Sequence, residues 1–327
     1  MLGPQQFGQL GNGTTADSAT PIAVSTLAGD STISAGYTHA CVSLQNHSVQ
    51  CWGDNTYGQL GTGNNTPYNS PQTLSGTTAL DIAAGGYHTC LATDHKTVEC
   101  WGRNGNGQLG DGSFSDSNSP VLIGSITNAK KLTAGGYHSC VILDSGTVEC
   151  WGRNDFGQLG VGDNSDHNTP TLTGITDGFT ISAGTFHTCV VLQDHGIKCW
   201  GSNAFGQLGN GNYTDSDVPV LVGGITNAIG VAAGEDHTCV LRSGGTVSCW
   251  GDNIQGELGT GGVISSAFPV DTTLTTNLLQ ISAGDSFNCA VAANSTIRCW
   301  GFGYYGQLGT GFLGYLTSPV KVVTLGP

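Results

Sequence analysis

Tryptophan occurs at Trp52, Trp101, Trp151, Trp200, Trp250 and Trp300, at intervals of 49 or 50 residues, and each copy sits in Cys-Trp-Gly. Gly-Gln-Leu-Gly follows shortly after each, as at Gly58 to Gly61, with one copy reading Gly256-Glu257-Leu258-Gly259. A further copy, Gly8 to Gly11, opens the chain with no tryptophan before it. Self-similarity at this period marks an architecture whose units bury their apolar faces only against neighbours. No linker separates the units. Residues 1–327 therefore read as one repeat domain of six full repeats and a partial seventh.

One unit shows how these residues make strands. Ile82-Ala83-Ala84 is a short apolar run ending at Gly85-Gly86, as expected of a buried innermost strand. His88 to Ala92 predicts a second strand, Asp94-His95-Lys96 a polar turn, and Val98 to Trp101 a returning third strand. Gly102 to Ser119 reads as a Gly-, Asn- and Ser-rich loop anchored by Leu109. Pro120 to Ile123 reads as an outer strand, where proline is tolerated because an edge need not donate. Four short strands per repeat match a blade of an all-β propeller, whose radial repetition protects the strand edges.

The twelve cysteines form six pairs at one spacing: Cys41 with Cys51, Cys90 with Cys100, Cys140 with Cys150, Cys189 with Cys199, Cys239 with Cys249, and Cys289 with Cys299. Residues ten apart on a hairpin can lie opposite one another at about 4.5 Å between Cα atoms, within disulfide reach. An even, evenly spaced set predicts bridges made outside the reducing cytosol, hence a secreted, extracellular or cell-surface protein. The Cys-x₂-Cys spacing of zinc sites is not repeated, so no metal is expected. Asn12, Asn46, Asn64, Asn212 and Asn294 stand in glycosylation sequons, which also arise by chance in Asn- and Thr-rich loops. Met1-Leu2-Gly3-Pro4 lacks the basic start and apolar run of a signal peptide. On that reading the chain is a mature form, an excised piece or an incompletely represented sequence.

Only 10% of residues are charged, yet the net charge is −14 because Lys and Arg number nine. That balance repels phosphate backbones and argues against nucleic acid as a partner. No run approaches the roughly 18 apolar residues of a membrane span, so insertion is not expected.

The pattern Ala-Gly-x-x-His-x-Cys, followed by Cys-Trp-Gly-x-Asn-x-Phe-Gly-Gln-Leu-Gly, closely resembles the regulator of chromosome condensation repeat family over the whole chain. The resemblance implies a seven-bladed propeller. It does not carry over nucleotide exchange on a small GTPase, because that role belongs to a reduced, DNA-associated member. The cysteine before each tryptophan resembles the secreted, disulfide-containing bacterial branch. Similar β-lactamase-inhibitor propellers imply that inhibiting another protein is one form such binding takes. Seven units of about 50 residues would need 23 more than the 327 present, and six inner hairpins face seven outer segments, Gly8 to Val24 through Gly306 to Val323. The ring has either seven blades, one incomplete, or six and a surplus outer strand, or the chain is cut from a longer array.

Several residues invite a chemical role. His39, His88, His138, His187 and His237 recur two residues before a cysteine, with Phe287 in the sixth repeat. A metal ring is conceivable, but recurrence favours structural histidines hydrogen-bonding backbone where blades meet. The tryptophans read as blade packing rather than a binding platform. The Gly-Gln-Leu-Gly glycines read as turn glycines, since no Lys-Ser/Thr follows. Asp111 to Asp116 and Asp163 to Asp166 lack EF-hand spacing and read as solvated loop tips. No nucleophile–base–orienter set is visible, and neither an enzyme activity nor a cofactor is expected.

The repeat breaks in one region. The earlier loops after Gly-Gln-Leu-Gly are mostly polar, whereas the last two read Gly262-Val-Ile-Ser-Ser-Ala-Phe268 and Gly311-Phe-Leu-Gly-Tyr-Leu316. Val263, Ile264, Phe268, Phe312, Leu313, Tyr315 and Leu316 are the candidate interface. They serve equally as a cover over the seam where the ring closes, or as packing for an adjoining segment missing from this chain. The expected function is a non-enzymatic extracellular binding module whose rim loops take a protein or glycan. The alternative is a self-associating structural subunit of a surface assembly or filament.

Overall fold

The computed structural model describes residues 6–24, 27, 31–274 and 277–323; Met1 to Pro4 lie outside the described residues. It contains six antiparallel four-stranded sheets, each strand paired with its sequence neighbour. They form six blades, spanning 31–78, 81–123, 129–172, 178–221, 228–271 and 278–321. No helix occurs among the described residues.

Blade 2 is built from Asp81–Ala84, His88–Ala92, Val98–Gly102 and Ser117–Ile123. The outer strand starts earlier than its residue types suggest, because Gly102 pairs with Ser117 and draws Ser117-Asn118-Ser119 into the ladder. Pairing, not intrinsic preference, decides that boundary. Lys96 turns the inner hairpin at a φ of 61°.

The paired cysteines stand directly opposite one another on the two middle strands of each blade. Cys41 faces Cys51 in blade 1, Cys90 faces Cys100 in blade 2, and Cys140 faces Cys150 in blade 3. Cys189 faces Cys199 in blade 4, Cys239 faces Cys249 in blade 5, and Cys289 faces Cys299 in blade 6. In all six pairs the sulfurs are joined and the Cα atoms lie 4.1 Å apart. The bridges therefore staple strands within a blade and never one blade to the next.

Innermost strands Ser31–Ala35, Asp81–Ala84, Ala129–Ala134, Gly178–Ala183, Ala228–Ala233 and Leu278–Ala283 pack successively against one another. The apolar core is divided among the blade-to-blade seams: Ile82, Leu91 and Trp101 of blade 2, for instance, pack on Cys41, Val49 and Leu60 of blade 1.

The N-terminal segment 6–24 occupies a seventh position between blades 6 and 1. On one side the Trp52 indole donates to the Gln9 carbonyl (3.0 Å), as Trp101 does to Gln59 (2.8 Å). On the other side the Gly311 amide donates to the Ala19 carbonyl (3.0 Å), matching Gly261 to Thr317 (2.8 Å). The outer segment thus keeps both sets of neighbour contacts but has no inner hairpin of its own among the described residues. No packing comparable to the other seams joins Leu278–Ala283 to Ser31–Ala35.

Candidate functional site

The recurring histidines hold the seams. His39 Nε2 lies 2.9 Å from Thr89 Oγ1 of the next blade, and that hydroxyl donates to the Gln59 carbonyl at 2.8 Å. The Trp101 indole donates to the same carbonyl. The same relay runs His88–Ser139–Gln108, His138–Thr188–Gln158 and His187–Thr238–Gln207. At the fifth seam, His237 meets Asn288 Oδ1 while Asn288 Nδ2 donates to the Glu257 carbonyl. Hydrogen-bond accounting assigns the tautomer. Each hydroxyl hydrogen goes to a carbonyl, so the imidazole must donate from Nε2.

The imidazoles therefore bond a neighbouring side chain, and backbone is reached one step further on. Nδ1 of His39, His88, His138 and His187 is buried without a partner. Burial pushes His88, His138 and His187 down to about 3, and His39 and His237 to about 4. All five are neutral at physiological pH. These histidines and tryptophans are scaffold.

The Gly-Gln-Leu-Gly glycines are scaffold too. Gly61 has a φ of +71°, and a Cβ there would fall 2.8 Å from Trp101 Nε1. The acidic loops are braced rather than loose. Asp116 Oδ1 accepts from the Asn104 amide, and Asp111 Oδ1 from Asn104 Nδ2 and the Ser113 amide. Asp166 and Asp163 repeat this around Asn154. Blade 6 lacks the asparagine. Gly303 stands in its place, where a Cβ would fall 2.3 Å from the Gly314 carbonyl oxygen.

The structure separates the seven candidate interface residues. Ile264 is 85% exposed, and Val263, Phe312, Leu313 and Tyr315 are also exposed. Leu316 is half-buried against the cluster of Cys299, Leu308 and Val322 and belongs to the outer strand of blade 6. Phe268 is exposed but turned towards blade 4, its ring lying over Gly211. The loop carrying Val263 and Ile264 bonds the start of the blade 6 outer strand through Gly261 and Thr317. The loop carrying Phe312, Leu313 and Tyr315 bonds the seventh position through Gly311 and Ala19.

A second surface involves residues the sequence reading did not single out. Tyr37, Tyr87, Tyr137 and Phe186 follow one another from ring to ring, with centroids 5.5 to 6.3 Å apart. Arg103 and Arg153 lie over them, 5.5 Å from Tyr137 and 5.2 Å from Phe186 respectively. Tyr37 Oη reaches Thr185 Oγ1 at 3.0 Å, from the first blade to the fourth. Blades 5 and 6 carry acids at the matching positions. Glu235, Asp236, Asp252, Glu257 and Asp285 line a cavity of about 150 Å³. Burial and neighbouring acids push Asp236 up to about 6 and buried Glu257 to about 7. The sequence carries a signal for this surface: an aromatic residue directly precedes the seam histidine in three successive repeats, at Tyr87, Tyr137 and Phe186, and gives way to Asp236 in the fifth.

Stapled four-stranded blades, seam histidines and varied loops define a disulfide-bridged β-propeller of repeated blades. The RCC1-like domain family matches residues 1–229. The regulator of chromosome condensation repeat matches 228–257, 279–307 and, in a second form, 244–291. The chain belongs to the regulator of chromosome condensation repeat family. Among solved structures it is similar to Prp20p of Saccharomyces cerevisiae, described with its binding to Gsp1p and histones, at 22% identity and a TM-score of 0.88 over 99% of this chain and 85% of that one. Human WBSCR16 matches at 24% identity and TM-score 0.81, covering 91% and 83% of the two chains. The CRINKLY WD40 ectodomain of the Arabidopsis thaliana receptor kinase ACR4 matches at 20% identity and TM-score 0.53, covering 84% and 80%. At these identities the likeness is one of fold.

Proposed function

We propose that this propeller is a non-enzymatic extracellular module that binds a protein partner through the loops of blades 5 and 6. The observation that carries this reading is the exposure of Val263, Ile264, Phe312, Leu313 and Tyr315 on consecutive loops, where the earlier loops are mostly polar and expose single aromatics, Phe114 and Tyr213. Exposed apolar side chains gathered on one rim favour a protein surface over a glycan. Six bridges suit an oxidising compartment, and the protein partners named for Prp20p are in keeping with a binding role for the fold.

The test is the double variant Phe312→Ser/Leu313→Ser. An interface predicts that capture of the partner protein falls at least tenfold while the melting temperature stays within about 2 °C. A drop of many degrees instead assigns these residues to ring closure. Sedimentation of the purified chain decides between a monomer with a foreign partner and a self-associating subunit.

A further inference from the structure

Blades 2 and 3 carry nearly the same turn, and a missing carboxylate separates them. Blade 3 reads Trp151-Gly-Arg-Asn-Asp-Phe-Gly-Gln158, and blade 2 reads Trp101-Gly-Arg-Asn-Gly-Asn-Gly-Gln108. In blade 3, Arg153 grips Asp155 with both arms of its fork, Nε to Oδ1 at 2.7 Å and Nη2 to Oδ2 at 2.6 Å. Gln158 Nε2 donates to the same Oδ1 at 3.4 Å. One carboxylate is thus held by a glutamine amide and by the bidentate arginine geometry that binds such groups most strongly.

In blade 2 the donors remain and the carboxylate is gone. Gly105 stands where Asp155 does; it is exposed, and a Cβ on it would meet nothing within 4 Å. Arg103 belongs to no ion pair among the described residues. Its guanidinium lies among the rings of Tyr57, Tyr87 and Tyr137, 5.2 to 5.9 Å from their centroids. Gln108 is 0% exposed, and its Nε2 has no hydrogen-bond partner. Turning the amide over does not cure this, because Gln108 Oε1 accepts from the Asn106 amide at 2.8 Å. Gln59, Gln158 and Gln207 repeat that bond. In those three the amide nitrogen finds a carboxylate, at Asp54, Asp155 and Asp236 respectively. A buried donor left unpaired is costly, and only blade 2 combines one with an unpaired arginine and open space beside both.

We propose that Arg103 and Gln108 form a binding site for an external carboxylate, which takes the place that Asp155 fills in blade 3. The Arg103 fork receives both oxygens, Gln108 Nε2 donates to one of them, and the tyrosine rings wall the site. A carboxylate suits it better than phosphate, because the arrangement in blade 3 serves a planar group with two oxygens. The chain's net charge of −14 also repels multiply charged anions. The carboxylate is that of an acidic side chain on a polypeptide or of a free carboxylic acid, and the chemistry of the site is the same for both. No residue of the loops around Ile264 and Phe312 takes part, so the site stands whether or not those loops form an interface.

Sodium acetate and a capped Gly-Gly-Glu-Gly-Gly peptide are the probes, titrated at constant ionic strength into the isotope-labelled full chain. Both should move the side-chain N–H resonances of Arg103 and Gln108 along a saturating curve, and the same peptide with glutamine in place of glutamate should not. Arg103→Met should weaken binding of both probes at least tenfold. Gly105→Asp should do the same by supplying the carboxylate from within, as blade 3 does. Gly105 lies outside the left-handed region, so the aspartate is tolerated, and a melting temperature no lower than that of the parent chain separates a filled site from a damaged one. Peptide bound at least tenfold more tightly than acetate identifies an acidic side chain as the source; any smaller margin identifies a free acid. The proposal is overturned if neither probe saturates, if inorganic phosphate binds more tightly than acetate, or if binding ignores Gly105→Asp or Arg103→Met.

Discussion

Each seam imidazole has one fixed job at its Nε2–H and no capacity to carry a proton. That makes stability depend on pH in two opposed directions. Histidines held at about 3 or 4, against an ordinary 6.5, contribute stability that is present above 6.5 and lost as pH falls towards 3. Asp236 at about 6 and Glu257 at about 7 act the other way. Their protonated forms are favoured in the fold, so stability is lost as pH rises through 6 to 7. The melting temperature should therefore peak near pH 6 to 7. Glu257→Gln, which installs the residue of the other blades, should flatten the alkaline limb and steepen the acid limb, because a carboxyl raised from 4.5 to about 7 opposes the histidines across that window. A profile falling steadily from pH 8 to 5 would contradict the buried-acid assignment. His138→Ala leaves Thr188 without its donor and should cost about 1–3 kcal/mol in denaturant unfolding. Loss of tightly bound metal on that substitution would mean the histidine had been misread.

The blade is where sequence and structure agree most closely, because a hairpin is specified locally. The cysteine offset, the apolar run at Ile82 and the turn at Lys96 each report on a few adjacent residues. Cys100, Cys150, Cys199 and Cys249 each meet the partner ten residues earlier in the chain, as Cys51 and Cys299 do, so one local rule serves all six blades. Intact mass should lie about 12 Da below the fully reduced value, two hydrogens for each of six bridges, with every bridge inside its own repeat. Any free thiol, or a peptide linking two repeats, would count against it. Less legible was what depends on the neighbouring blade. The start of the outer strand at Ser117, the hydroxyl partner of each histidine and the turning of Phe268 over Gly211 are contacts between distant residues. The aromatic arc is legible in part, since Tyr87, Tyr137 and Phe186 each directly precede a seam histidine, whereas the joining of Tyr37 to it is a contact between blades.

At the scale of the whole molecule, every seam but one carries inner-strand packing and a polar relay among the described residues. In stacked repeats stability is roughly a sum of unit terms and nearest-neighbour terms. A closed circle of equal terms has no weakest unit. This one does, because among the described residues the seventh position joins blades 6 and 1 only through the outer segment 6–24. The described residues are thus circular in arrangement but linear in energy, a row of six blades whose outermost members meet. Backbone amides should exchange slowest in blades 3 and 4 and progressively faster towards blades 1 and 6, and a destabilising change should propagate to one side of its seam rather than around the ring. Uniform exchange across all six blades would show that segment 6–24 closes the circle as firmly as a full blade. A ring with a preferred opening point also has a fixed axis of strain. A pull applied across blades 1 and 6 should part them at far lower force than the same pull across blades 3 and 4.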